Sequence, residues 1–437
     1  MKVMKFGGTS VGSAERMKNV TKLILGPEPN FVVLSAMSGT TNSLVEISGY
    51  LYSKNTDGAL EIIGRLEKKY RQHVEELYAT EAFKKKALDY LLGTFSYLAS
   101  FTKQLFTPVE EKLILARGEL MSTHMVAFYL EEQGVNVKLL SALDFMRIDA
   151  NGEPDMSAIL TLLQAQLQPI QAPRIITQGF ICRNHTGAID NLKRGGSDYS
   201  ASIIGGLLGA EEIQIWTDID GMHNNDPRFV SNTRPVPQLS FDEAAELAYF
   251  GAKILHPTCI LPANMHNVPV RLLNTMEPSA PGTFINNDYK KGRIEAIAAK
   301  DGIAAIRVHS DRMLLAYGFL RKVFEIFEQY KTSIDMICTS EVGVSVTIDN
   351  RAHLTDIVNE LKKYGTVDVD ENMCIICVVG DLVSGNVGFE TRACMAVKQI
   401  PVRMISYGGS NYNISFLINA DDKKRTLQAL SETLFNK

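Results

Sequence analysis

Val3-Met4-Lys5-Phe6-Gly7-Gly8-Thr9-Ser10-Val11-Gly12 is the stretch from which the rest of the chain can be read. A short apolar run, Val3–Phe6, ends in a glycine pair, and Ala14–Leu25 follows as a helix. Strand, turn and helix in that order open an α/β fold. Phe31–Ala36 (FVVLSA) is an unbroken β-rich run, suited to a strand buried on both faces. Further strands are expected at Val137–Leu140, Arg174–Gln178, Ile213–Thr217 and Val270–Leu273, with helices at Asp198–Leu208 and Phe241–Phe250. Between them, residues 56–133 are charged and largely helical, with few breakers besides Gly93 and Pro108. They read as a helical insertion in the α/β scaffold.

The composition excludes several classes. A chain of 437 residues is long enough for about three domains. With 45 basic and 49 acidic residues its net charge of −4 lacks the basic footprint of a nucleic-acid binder. No run of 18 apolar residues occurs; Ala201–Ala210 is short and Gly-rich, so no membrane partner is expected. The first ten residues lack the apolar core of a signal peptide, and a cytoplasmic location is expected. Six scattered cysteines are then reduced thiols. Cys374 and Cys377 form a CxxC, but in the run CIICVV they point to opposite faces of a strand, which reads as core rather than zinc.

A linker-like stretch, Glu277–Arg293, carries two prolines, two glycines and many polar residues. Beyond it the chain repeats weakly, with a period near 70. Gly318-Phe319 answers Gly388-Phe389, Ile334–Ile337 answers Val402–Ile405, and Val344–Ile348 answers Ile414–Ile418. Each unit reads as helix, strand, polar turn, strand, so two small α+β modules in tandem are expected.

Four segments carry chemistry. Lys5-Phe6-Gly7-Gly8-Thr9-Ser10 matches neither a P-loop nor a dinucleotide fingerprint. Two glycines between strand and helix nonetheless let backbone N–H groups approach a phosphate, with Lys5 aimed at the same spot. A plain turn beside a surface lysine is the alternative. Arg194-Gly195-Gly196-Ser197-Asp198 opens a second helix; Arg194 offers a planar fork to a carboxylate or phosphate, and Ser197 or Asp198 can cap. An ordinary N-cap with a solvated arginine is its alternative. Trp216-Thr217-Asp218-Ile219-Asp220-Gly221-Met222-His223 ends a strand in a polar loop, where open α/β sheets bind ligands. It resembles a calcium loop, but Met222 takes a ligand position and no Glu closes the loop. Glu119 in Arg117-Gly118-Glu119 reads in isolation as a helix-dipole partner, Lys253 as a solvated lysine, and His256 as a packing or capping group.

Taken together, KFGGTSVG, SAMSGTTNSL, RGELMS, QGFI, RGGSDYSA, WTDIDGMHNNDPR and FGAKILHP resemble the aspartate kinases of the amino-acid kinase family, in the family's order and over essentially the whole chain. Met313–Val342 is particularly similar to the lysine-sensitive, single-function aspartokinase III type. The resemblance implies a three-layer αβα sandwich with a mainly parallel sheet over residues 1–297. Two ferredoxin-like ACT domains follow over 298–437: the first about 313–380, the second about 381–437 and completed by a strand from 298–312. It implies transfer of the ATP γ-phosphoryl to the β-carboxylate of L-aspartate, first step of the aspartate-derived amino-acid pathway. Mg²⁺ would come with ATP, with no direct side-chain ligand.

The resemblance also assigns residues. Lys5 and Asp198 would be catalytic, Asp198 by positioning Lys5 or organising the metal region. Arg194 would hold the substrate α-carboxylate and Glu119 its α-ammonium, with Ser35, Thr41 and Ser197 adding hydrogen bonds. Lys5, Phe6, Gly7, Gly8, Thr217, Asp218, Arg228, Lys253 and Ile254 would hold nucleotide, with His223 standing where many relatives carry Tyr. Feedback by lysine would act at Met313, Gly318, Phe319, Leu320, Ser333, Ile334, Asp335 and Ser340. There Asp335 could pair with a cationic side chain. A homodimer through the ACT domains is implied, with a tetramer as the alternative. The chain ends after the second repeat, and a fused homoserine dehydrogenase is not expected. Rival readings are a kinase for glutamate, acetylglutamate, carbamate or UMP, a non-catalytic amino-acid sensor, and an ACT-bearing dehydrogenase. The tandem repeats and RGGSDY oppose the first, the retained charges the second, and the missing dinucleotide fingerprint the third.

Overall fold

The computed structural model describes residues 1–192, 195–251, 255–288, 292–310, 317–382 and 388–435. It divides into two compact units, one of residues 1–222, 237–241 and 254–288, the other of 223–236, 242–253 and 289–437.

The first unit is built on β1 (Lys2–Phe6), α1 (Ala14–Ile24), β2 (Asn30–Leu34), α2 (Thr40–Tyr52), α3 (Thr56–Leu77), α4 (Glu81–Ser100), α5 (Pro108–Leu115) and α6 (Arg117–Glu132). It continues with β3 (Val137–Leu139), α7 (Ala142–Phe145), α8 (Met156–Leu167), β4 (Arg174–Gln178), a β5–β6 hairpin (Ile181–Arg183, Ile189–Asn191), α9 (Gly196–Leu207) and β7 (Ile213–Thr217). Then come β8 (Gln238–Leu239), α10 (Phe241–Tyr249, which runs on into the second unit), α11 (Leu261–Met265), β9 (Val270–Asn274) and β10 (Thr283–Ile285). The sheet order is β3-β4-β2-β1-β7-β9-β10-β8. The first six strands run parallel and β10 is antiparallel to β9.

Burial on both faces explains the unbroken apolar runs. Met4, Phe6, Val32, Leu34, Ile176, Trp216 and Leu273 share one core with α1 to α4 and α6. The alternate residues face the other way, where α9 packs on β1, β2 and β7. Lys5 belongs to that second set. The chain leaves β1 for β2 on one side and later returns to β7 on the other, so β1/β7 is the topological switch point. The stretch read as a linker departs from expectation. Thr283–Ile285 within it is a strand, entered through Gly282 at φ 66°, and Thr283 Oγ1 accepts the Met222 N–H at 2.8 Å. Three residues are too few to show an alternating pattern.

The second unit contains β11 (Ile294–His309), α12 (Phe319–Gln329), β12 (Ile337–Thr339), β13 (Gly343–Ile348), α13 (Leu354–Leu361), β14 (Thr366–Gly380), α14 (Phe389–Ala396), β15 (Met404–Tyr407), β16 (Asn413–Asn419) and α15 (Lys423–Phe435). They form one antiparallel sheet, β12-β13-β11-β14-β16-β15. The repeat is visible in it, with Gly318 at φ 83° and Gly388 at φ 78° opening α12 and α14. The modules are not separate beads, because β11 and β14 run through both. Ala304–His309 pairs with β13 and Ala305–His309 with Thr366–Asp370, whereas Ile294–Lys300 pairs with Ile375–Gly380 alongside β16. The register breaks between Lys300 and Ile303 mark the seam between two cores. Cys374 and Cys377 are both buried in β14, and burial pushes the Cys374 thiol up to about 12.

Two glycines test how tightly the first unit is packed. A Cβ on Gly205 of α9 would lie 2.3 Å from Ile213 Cγ1, so Gly205→Ala is expected to cost about 1–3 kcal/mol by overpacking. A Cβ on Gly49 of α2 meets nothing within 4 Å, so Gly49→Ala is expected to be neutral or to stabilise by up to ~1 kcal/mol. Urea midpoints of the two variants check this, and equal midpoints would contradict the close α9–β7 contact.

Candidate active site

Because β1, β2, β4 and β7 are parallel, the loops after their C-terminal ends gather at one edge of the sheet. At that edge Lys5 Nζ lies 2.6 Å from Asp198 Oδ1 in the first turn of α9, with side chains only 11% and 16% exposed. The Gly7 N–H is committed to the Trp216 carbonyl at 3.2 Å and is not a free donor for phosphate. Both glycines also supply space. A Cβ on Gly8 would lie 2.7 Å from the Ala36 carbonyl oxygen, and one on Gly7 would sit 3.5 Å from Lys5 Nζ. α1 is capped by Ser13, whose side chain accepts the Arg16 N–H at 3.2 Å. The helix therefore starts beyond the turn rather than in it.

Beside this pair is a cavity of about 360 Å³ whose walls include Gly8, Ser35, Thr41, Glu119, Phe180 and Ser197. All four described residues assigned to substrate by sequence thus line one space. Glu119 is no surface dipole partner: it is 5% exposed and accepts the Ala36 N–H at 3.2 Å. Burial raises its carboxyl to about 7. Gly118 makes this possible, since a Cβ there would lie 2.8 Å from Ala36 Cβ. Ser122 Oγ donates to the Ser35 carbonyl at 2.7 Å and fixes the loop from the same helix.

Reading the sequence missed the groups that hold this loop from the helical insertion. Lys69 Nζ donates to the Ser38 carbonyl at 2.7 Å, and the Tyr70 hydroxyl bonds Thr40 Oγ1 at 2.9 Å. Tyr70 is fully buried, and in a heptad-like pattern it looks like any core aromatic. Gly195 and Gly196 have φ of 68° and 46°, and a Cβ on Gly195 would lie 2.2 Å from Cys259 Sγ. His256 caps the short turn after it, accepting the Thr258 N–H, in keeping with the capping role. Arg194, Lys253, Ile254 and Met313 lie outside the described residues.

Thr217 and Asp218 end β7, with Thr217 Oγ1 donating to Asp218 Oδ1 at 3.1 Å. His223 and Arg228 belong to the second unit. His223 Nδ1 lies 3.3 Å from Thr233 Oγ1, and Arg228 forks onto Asp226 with contacts of 2.6–3.1 Å. Among the effector residues, Phe319 is buried, Leu320 and Ile334 are half-buried, Ser333 is exposed, and Ser340 Oγ reaches the Gly343 carbonyl at 3.4 Å. Asp335 does pair with a cation, but that cation is within the chain. Its Oδ1 accepts from Lys300 Nζ at 2.7 Å and from the Tyr249 hydroxyl at 2.7 Å, and its side chain is 1% exposed. Burial opposes the Lys300 charge, yet bonds to Asp335 and Asp349 hold its ammonium above the usual value. Asp335 Oδ2 is buried without a hydrogen bond.

The chain is similar to known proteins over its length. Residues 1–274 match the amino acid kinase family and residues 376–434 match an ACT domain. The chain is 37% identical to aspartokinase 1, chloroplastic, of Arabidopsis thaliana, over 99% of this chain and 80% of that protein. It is 31% identical to Escherichia coli aspartokinase III crystallised with aspartate and ADP (R-state), with full coverage of both chains and a TM-score of 0.86. Against the same enzyme crystallised with lysine and aspartate (T-state), identity is 32%, coverage again full and the TM-score 0.79.

The raised Glu119 carboxyl has a measurable consequence. A carboxyl whose folded value lies above its unfolded one stabilises most below the unfolded value, and that contribution is lost as pH rises through about 7. Wild type is therefore expected to lose on the order of 2–3 kcal/mol between pH 5 and 8 relative to Glu119→Gln. Urea midpoints at both pH values read this directly, and parallel profiles would show that Glu119 titrates normally.

Proposed function

The chain belongs to the amino acid kinase family, among its aspartokinases, and on that premise we propose that it transfers the γ-phosphoryl of ATP to the β-carboxylate of L-aspartate, giving 4-phospho-L-aspartate. The observation that carries the reading is the cavity of Ser35, Thr41, Glu119 and Ser197 at the strand ends that also hold the Lys5–Asp198 pair. A buried carboxylate facing such a cavity calls for a cation, and the α-ammonium of an amino acid supplies one. Arg194 grips the α-carboxylate, while Ser35, Thr41 and Ser197 complete the hydrogen bonds. Thr217, Asp218, His223, Arg228, Lys253, Ile254 and the Phe6-Gly7-Gly8 turn hold the nucleotide.

The chemistry asks little of a base. The attacking β-carboxylate is ionised at neutral pH, and the transition state spreads its charge over phosphoryl oxygens. Lys5 meets that charge, and Asp198, at 2.6 Å, positions the ammonium rather than accepting a proton. Mg²⁺ would come with ATP, with no side chain of this chain as its direct ligand, and would supply further screening of the phosphate charge. By residue number, catalysis is assigned to 1–297 and regulation to 298–437. The ACT modules join two chains as a homodimer, and the enzyme works in the cytoplasm at the head of the aspartate-derived pathway. Among the described residues no helix is long and apolar enough to cross a membrane.

Lysine is the proposed feedback effector. Asp335 carries an ammonium already, from Lys300, and a free lysine could take the place of that internal group. An inhibitor acts only by binding the inactive state more tightly. Asp335→Ala is therefore expected to weaken lysine inhibition by roughly 5–150-fold and leave uninhibited kcat near wild type. Inhibition curves with lysine, threonine and methionine decide it; no response of wild type to millimolar lysine would remove the effector assignment and leave the kinase standing. For the reaction itself, ADP release with aspartate as acceptor is the assay. Lys5→Ala should lower kcat by about 10²–10³ while the far-ultraviolet spectrum stays unchanged, and near-normal turnover would refute the role of Lys5.

A further inference from the structure

Gln178-Gly179-Phe180-Ile181 joins β4 to β5, and its phenylalanine has no role so far beyond lining the substrate cavity. Phe180 has φ 67°, a backbone state that bulky residues rarely adopt. The Ile181 N–H donates to the Gly179 carbonyl at 2.7 Å, which closes a three-residue γ-turn around Phe180. This strained turn is held from three sides. The Phe180 N–H donates to Ser200 Oγ at 2.9 Å on α9, and the Phe180 carbonyl accepts the Leu192 N–H at 2.8 Å. Gly179 lies so close to α9 that a Cβ there would be 2.3 Å from Ser197 Cβ. Strain of this kind persists where the surroundings over-determine it, and it gathers at functional sites.

The consequence is where the ring ends up. Phe180 lines the 360 Å³ cavity with Glu119 and Ser197, and it also lines a second cavity of about 500 Å³ with Lys112, Asp149, His185 and Asp190. Its ring packs by Gly196, whose added Cβ would be 3.6 Å from Phe180 Cδ2. One half-buried aromatic is thus common to the substrate cavity and to a larger space of mixed lining. The second cavity is charged, with Lys112 Nζ 2.6 Å from Asp190 Oδ2, so an opening between the two would admit water and longer polar chains.

We infer that Phe180 is a specificity-determining residue: its strained turn holds the ring as a partition that limits the length of the amino dicarboxylic acid accepted. This rests on the aspartate kinase reading above. In that setting the partition excludes acceptors one or two methylenes longer than aspartate. A pocket contact judging one methylene discriminates by about 10–200-fold.

The test uses Phe180→Gly, which removes the ring and suits the positive φ, and Phe180→Leu, which keeps part of the wall. Turnover with L-aspartate, L-glutamate and L-2-aminoadipate is measured on the full chain by ADP release, together with titration calorimetry of each acid. The kcat/KM ratio of aspartate to glutamate is expected to fall at least 10-fold in Phe180→Gly and by less in Phe180→Leu. An unchanged ratio in a folded Phe180→Gly enzyme overturns the inference. If that variant turns nothing over, calorimetry decides: a weakened preference for aspartate over the longer acids supports the partition, and an unchanged preference overturns it. A wild type that releases no ADP with aspartate sinks the kinase reading instead, a separate result from a ratio that fails to move.

Discussion

An ammonium held near a carboxylate on a strand buried from both sides is the constraint around which the catalytic unit is arranged. Lys5 sits on β1, flanked by parallel neighbours, and its alternate neighbours Met4 and Phe6 serve the opposite core. The pleat therefore sends Lys5 toward α9 and nowhere else. A lysine only 11% exposed there needs a partner, and Asp198 in the first turn of α9 supplies it. The pair fixes how α9 meets β1. That in turn sets Ser197 and Ser200, and through Ser200 the turn at Phe180.

The helical insertion has a structural purpose that its charged composition conceals. The loop after β2 carries Ser35, Ala36 and Ser38, and left alone it would be a flexible connection between strand and helix. Lys69 and Tyr70 of α3 bond it from one side, and Glu119 and Ser122 of α6 from the other. A cavity that must recognise a small acid by a few polar groups requires such support, because a misplacement near 1 Å costs much of the rate.

The second unit shows how two small modules avoid being marginal. Each alone would have little core, and each would leave a strand edge open. By running β11 and β14 through both halves, the chain makes one six-stranded sheet with two cores. The bulged seam at Lys300–Ile303 is also where Lys300 turns to Asp335 and Asp349. Tyr249 completes that cluster, so the segment before Gly251 is bonded to the first module by a group that also lies against a half-buried cation.

Local patterns determined a good deal. Continuous apolar runs such as Phe31–Leu34 announce strands buried on both faces, and the Gly-Gly turns mark where the backbone must come close to something. The alternation of such runs with helices makes the α/β class legible, and Gly318-Phe319 with Gly388-Phe389 betrays the repeat. What stayed hidden depends on residues far apart in the chain. Glu119 looks like a helix-dipole partner until folding buries it against the loop of Ala36, 83 positions away; the burial raises its carboxyl, and the bond from the Ala36 N–H offsets only part of that. Gly7 looks like a phosphate donor until Trp216 takes its N–H. Asp335 shows its taste for a cation, but only folding reveals that Lys300 satisfies it. The strain at Phe180 is likewise invisible in QGFI, because a positive φ in a bulky residue is imposed by α9 and the β5–β6 hairpin rather than chosen locally. Periodicity and turn chemistry are local and survive in sequence, whereas burial, desolvation and strain are properties of the company a residue keeps, which only the tertiary fold assembles.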